Sequence, residues 1–300
     1  MWRVSPAPIG CRWTVRQRLA TLNGMTFSER LFGGGFPVAL EITPPQRPRP
    51  GVLLRRARLI DGLACAINVI QRPDRQPSLD ASIALSVEGL EAVWHLVARG
   101  LAAEELDAQL TIARAGGIRN VLCIRGDHGG PEAADALTVK RVVERTVAAL
   151  PDACVGATAN QYQPDRAAVL RNLLPKLKAG ARYVQTQPVF DAGQLAPLVA
   201  AIREAAPGTK VVAMAMPLLS LEAAAKIEAR LGIALPAETR ARIGEGAEGG
   251  WAAFEATLAG LVACGDVDGV AIMTFEMDAP DGMGERIRAA LERVGLGARP

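Results

Sequence analysis

Apolar residues along this chain alternate between two patterns. Short runs, mostly apolar and close to continuous, fall at 38–42, 66–70, 92–96, 120–124, 153–157, 183–187, 210–214 and 269–275. Between them apolar positions recur every three or four residues, over 51–61, 78–88, 102–115, 133–150, 165–179, 192–205 and 219–231, and again over 282–294. Two further helical stretches, 237–244 and 251–264, stand before the last run. Runs of this length have the composition of strands buried on both faces, and the intervening helices are long enough for parallel crossovers. Eight such units predict an α/β fold, a single (β/α)8 TIM barrel with extra helices before the last strand. A doubly wound open sheet is the alternative, but no G-x-G-x-x-G follows a strand. Gly33-Gly-Gly35 precedes the first strand and reads as a flexible lead-in.

Residues 1–24 carry Arg3, Arg12, Arg16 and Arg18 and no acid, a composition that resembles a transit peptide. Thr26-Phe-Ser-Glu29 has the spacing of a helix capping box. We therefore expect residues 1–24 to be a poorly ordered N-terminal extension and 25–300 to be the catalytic barrel.

Composition narrows the function. Half of the 300 residues are hydrophobic, enough for a large core, and the net charge of +3 is too small to call for nucleic acid or a membrane surface. Aromatic residues, at 4%, are too few for a base-stacking platform. No apolar run approaches the roughly 18 residues that span a bilayer. Cys11, Cys65, Cys123, Cys154 and Cys264 are dispersed without metal-type spacing, and His95 and His128 are the only histidines. This predicts reduced thiols, a cytoplasmic protein and no metal site.

In a barrel, chemistry belongs at the carboxyl ends of the strands. The first strand offers Glu41 among Ala39, Leu40 and Ile42. An acid there needs either a basic partner or a proton, and burial would raise its pKa into the range of a general acid. His95 lies near the end of the third strand, as a wall residue or a cofactor contact. The fourth strand delivers Arg125 and Asp127, and the sixth puts Gln185 and Gln187 on one face with Thr186 on the other. Amides at a barrel mouth suit flat polar heterocycles. Arg47, Arg49, Arg55, Arg56 and Arg58 cluster around the first barrel helix, as a solvated face or as a site for anionic tails.

Several segments together resemble the methylenetetrahydrofolate reductase family. They are Val38-Ala-Leu-Glu-Ile-Thr-Pro-Pro45, Trp94-His-Leu96, Gly117-Ile-Arg-Asn-Val-Leu-Cys-Ile-Arg-Gly-Asp127, Ala179-Gly-Ala181 and Thr186-Gln-Pro-Val-Phe-Asp191, with Met216-Pro217 and Leu235-Pro236 further on. The resemblance runs from Phe36 to the C-terminus. It implies a TIM barrel that binds FAD and uses NAD(P)H to interconvert 5,10-methylenetetrahydrofolate and 5-methyltetrahydrofolate. The partners it implies are a folate and a nicotinamide nucleotide, with homo-oligomerisation left open. On this resemblance Glu41 matches the general acid, and Asp127 the carboxylate between flavin and folate. Gln187 matches a folate-binding amide, and His95, Arg125, Asp127 and Lys176 match flavin contacts. The chain also departs from the family pattern. Residues 129–136 lack a tyrosine, 157–164 lack the aromatic-Pro-Glu and His-Pro sequences, and Ile70 stands where a threonine meets the flavin. These departures keep open a flavin-independent NADH reductase, or a folate-binding methyltransferase or other one-carbon enzyme on the same barrel.

Overall fold

The structure is a computed structural model that describes residues 25–126, 136–275 and 278–297. The expected extension over 1–24, together with Asp127 and His128, lies outside the described residues. In chain order the elements are α1 (Phe27–Phe32), β1 (Val38–Ile42), α2 (Pro50–Ala57), β2 (Ala66–Val69), α3 (Ser78–Val87), β3 (Ala92–Val97), α4 (Ala103–Ala115), β4 (Asn120–Ile124) and α5 (Val139–Ala149). There follow β5 (Cys154–Ala159), α6 (Arg166–Lys178), β6 (Tyr183–Pro188), α7 (Ala192–Ala205), β7 (Lys210–Ala215), α8 (Leu221–Leu231), α9 (Ala237–Gly244), α10 (Ala247–Cys264), β8 (Gly269–Met273) and α11 (Met283–Arg293). All strand pairs are parallel, and β1 pairs with both β2 and β8, which closes the barrel. No helix among the described residues is long and apolar enough to cross a membrane.

Two helix starts differ from the sequence expectation. α5 begins at Val139, later than the predicted 133, because Thr138 caps it: the Thr138 hydroxyl accepts from the Arg141 amide at 3.3 Å. α10 begins at Ala247, ahead of the predicted 251, and runs through Gly249 and Gly250. Glycines weaken a helix on propensity alone. Here they admit neighbouring backbone, since a Cβ on Gly250 would stand 2.2 Å from the Leu218 carbonyl oxygen.

The lumen explains how the site is held. Every strand contributes one side chain to a floor cluster: Ala39, Ala66, Val93, Leu122, Cys154, Tyr183, Val212 and Ala271. α1 seals this floor with Phe27 and Leu31, both buried. The helix is fixed by its capping box, in which Thr26 and Glu29 exchange hydrogen bonds. Glu91 holds it from the barrel side, accepting from the Phe27 amide at 3.0 Å and from Asn120 Nδ2 at 2.8 Å. The large Tyr183 ring meets Phe27 edge-on, 5.5 Å between centroids, and lies over Gly156 on the adjacent strand.

That last contact gives a direct test of floor packing. A Cβ at position 156 would sit 2.3 Å from the Tyr183 ring. Gly156→Ala is expected to destabilise the fold by about 1–3 kcal/mol through overpacking, measured as a lower urea midpoint with an unchanged slope. A wild-type midpoint would show that the ring is not wedged there.

Candidate active site

Side chains two residues apart on a strand share a face, so the next layer above the floor can be read from its members. Two positions beyond Ala39, Ala66, Val93 and Tyr183 stand Glu41, Asn68, His95 and Gln185, all four buried. Four strands thus place a polar group directly above an apolar floor. Glu41 and Gln185 reach each other across the lumen, Gln185 Nε2 donating to Glu41 Oε2 at 3.0 Å. Asn68 Nδ2 in turn donates to Gln185 Oε1 at 2.8 Å. His95 Nε2 lies 3.9 Å from Glu41 Oε2 and makes no hydrogen bond among the described residues.

Burial decides the charges here. It pushes the Glu41 pKa up to about 7, and amide donation from Gln185 and Asn68 and the positive charge of Arg230 hold it back. The same burial pulls the His95 pKa down to about 3, so the imidazole is neutral and the pair at 3.9 Å is no ion pair. Of the two groups it is Glu41 that changes charge near neutral pH. Its partner is an amide network, and no lysine or arginine from the barrel floor is bonded to it among the described contacts.

Glu41 also lines a cavity of about 300 Å³ at the carboxyl end of β1 and β8. Ile70, Arg72, Arg230 and Phe275 contribute to its wall, as do Arg55 and Arg56 from α2. Both of these arginines engage Asp278, and Arg56 also donates to the Thr43 carbonyl oxygen at 2.6 Å. Two of the five arginines of the basic cluster read from sequence therefore face a cavity and are already paired with an acid.

The other expected site residues are spread around the rim. Gln187 is half-buried, and its backbone is tied to Gln161, whose Oε1 accepts from the Gln187 amide at 3.1 Å. The register of β6 on β7 slips between Gln185 and Pro188, where the Met214 amide donates to the Thr186 hydroxyl at 3.1 Å. The simple alternation expected for 185–187 is interrupted by this bulge. Arg125 is exposed just beyond β4. Lys176, on α6, donates to Asn172 Oδ1 at 2.5 Å, and its pKa is lowered by partial burial and by the charge of Arg125. The structure thus joins Glu41, His95 and Gln185 in one layer, and sets Arg125 and Lys176 near each other on the β4 side. Sequence reasoning missed Asn68, although an amide alone in an apolar strand was the available signal. Burial pushes the thiols of Cys65 and Cys123 up to about 12, and that of Cys154 up to about 11, which removes them as nucleophiles.

A family model described as methylenetetrahydrofolate reductase matches residues 33–249. Among solved structures, a phosphonopyruvate hydrolase in complex with oxalate and Mg++ is similar at a TM-score of 0.53, with 16% identity over 96% of this chain and 89% of that one. At that identity the likeness concerns the fold alone. A thiamine phosphate pyrophosphorylase from Pyrococcus furiosus aligns at a TM-score of 0.44, with 17% identity over 86% of this chain and 96% of that one.

The buried acid has a measurable thermodynamic signature. A carboxyl whose folded pKa is raised to about 7 leaves the fold most stable below its unfolded pKa, and that stability is lost as pH rises through 7. The loss from this group is about 3 kcal/mol when complete. Neutral His95 acts in the opposite sense, costing stability as pH falls below its unfolded pKa, so the wild-type curve mixes the two. The comparison with Glu41→Gln isolates the acid. Between pH 4 and 8 the variant should gain about 3 kcal/mol relative to wild type by urea denaturation. A constant difference across that range would mean that Glu41 titrates normally.

Proposed function

The chain belongs to the methylenetetrahydrofolate reductase family, and from that premise we propose that it interconverts 5,10-methylenetetrahydrofolate and 5-methyltetrahydrofolate with electrons from NAD(P)H. Family membership itself supports folate-related oxidoreductase chemistry on this barrel. The observation that carries the finer reading is Glu41: a buried carboxylic acid, held near a pKa of about 7 and lining a cavity. Reduction of the methylene bridge requires a proton at the folate nitrogen that leaves the bridging carbon. Glu41 supplies it, and regains it when the reaction runs in reverse. Neutral His95 does not compete for that proton and forms the adjoining wall. Gln187 and Asp127 bind the folate; the assignment of Asp127 rests on its sequence position after β4.

A flavin, when bound, carries electrons between the nicotinamide and the folate. Arg125 and Lys176 are the residues that would contact it from the β4 side, where the charge of Arg125 acts on Lys176. His95 would border the ring system. One observation favours a second reading, in which NAD(P)H reduces the folate directly. Ile70 lines the cavity at the end of β2 and offers a cofactor no side-chain hydrogen bond there.

A visible spectrum of the purified protein, followed by NADH and then methylenetetrahydrofolate, separates these readings. Bound flavin that bleaches and is reoxidised by the folate supports the first. NADH consumption without flavin supports the second. No folate-dependent turnover by either route would overturn both. Glu41→Gln is expected to lower folate turnover by about 10²–10⁴-fold while leaving flavin bleaching by NADH largely intact. Asp127→Asn is expected to slow both half-reactions, and unchanged rates in both would remove Asp127 from the site.

A further inference from the structure

Building on that reading of Glu41, we infer that Asn68 and Gln185 are positioning residues, a linked pair of amides that fixes which oxygen of Glu41 holds the proton and supports the carboxylate left after the proton departs. The geometry begins with strand register. Asn68 is the residue paired with Glu41 on the adjacent strand, while Gln185 arrives from β6 on the far side of the lumen. A glutamine amide has a donor end and an acceptor end, and alone it could turn either toward Glu41. Asn68 sets that choice by the end it presents, its own Oδ1 accepting no hydrogen bond among the described residues. Its Nδ2 donates to Gln185 Oε1 at 2.8 Å, which commits Gln185 Nε2 to Glu41 Oε2 at 3.0 Å.

Two consequences follow. Because Oε2 accepts from Gln185, the acidic hydrogen of Glu41 belongs on Oε1, the oxygen that Gln185 does not engage. And because the amides present donors only, they favour the charged form, against the burial that favours the neutral one. Burial alone would give an acid that holds its proton more firmly. The network makes release and recapture comparable in cost.

The other groups facing Glu41 do not substitute for this pair. His95, from β3, is neutral and lies 3.9 Å from Oε2. Arg230, from α8, acts on Glu41 through its charge and opposes the rise in its pKa less than either amide does. Across the cavity, Arg55 and Arg56 are engaged by Asp278, and Arg72, Asp281 and Glu285 complete the charged wall.

The test reads the proton directly. Infrared difference spectra between wild type and Glu41→Gln isolate the Glu41 carboxyl band, and its pH titration gives the pKa without any need for turnover. Gln185→Met, which keeps length and loses the donor, should raise that pKa by about 1 unit, the equivalent of one hydrogen bond to a charged group. Asn68→Leu should shift it in the same direction. Should either fail to fold by circular dichroism, Asn68→Ser, small and polar, decides the question with a smaller upward shift. A Glu41 titration unmoved in every folded variant overturns the inference, even if wild type turns over folate. A shifted titration in a protein that never reduces folate supports the inference and sinks the functional reading instead. In an active enzyme the basic limb of the kcat profile should move up with the infrared value, which a merely structural role would leave in place.

Discussion

The site depends on one act of desolvation. A carboxyl group taken out of water resists ionisation, and at Glu41 that resistance amounts to about 3 kcal/mol relative to an exposed glutamate. Such a penalty persists only while the carboxyl stays buried, as it is here. Above, the carboxyl meets a cavity of about 300 Å³. Below, it stands on eight apolar side chains and on the two buried residues of α1 that close them off. The floor thus helps to set the dielectric around the carboxyl.

That same low dielectric separates the two titratable members of the layer. Glu41 and His95 stand 3.9 Å apart and feel the same burial, which acts on them in opposite directions. Removing water disfavours both carboxylate and imidazolium, which leaves the imidazole uncharged and lets the carboxyl hold a proton up to about pH 7. One then carries a proton it can give, and the other has no charge to trap it. Environments that drive neighbouring pKa values apart are how acid and base roles are divided in enzyme sites generally.

Much of this was legible in the chain and some was not, for reasons that differ by residue. The barrel was legible because strands buried on both faces must be short and apolar, and helices that cover them must repeat at helical spacing. Helix ends were less so: Thr138 competes as a cap with a pattern that looks helical before it, and Gly249 and Gly250 look like breakers until a neighbouring carbonyl is seen against them. Glu41 was conspicuous as an acid in an apolar run. Its contact with Gln185 was not, since a hydrogen bond between β1 and β6 spans the lumen and leaves no trace in local spacing. The bulge after Gln185 was equally hidden, because it arises from Thr186 lending a side-chain oxygen to the ladder in place of a carbonyl.

The sealed floor also imposes an order in time. Its ring draws on every strand from β1 to β8, and the barrel closes only when the last pairs with the first. Phe27 and Leu31 emerge from the ribosome before any of those strands, and their binding surface is finished only once β8 has been made. Contacts so distant in sequence form slowly, and apolar groups that wait for them invite aggregation. The six residues that close the base of the barrel are therefore made first and docked last.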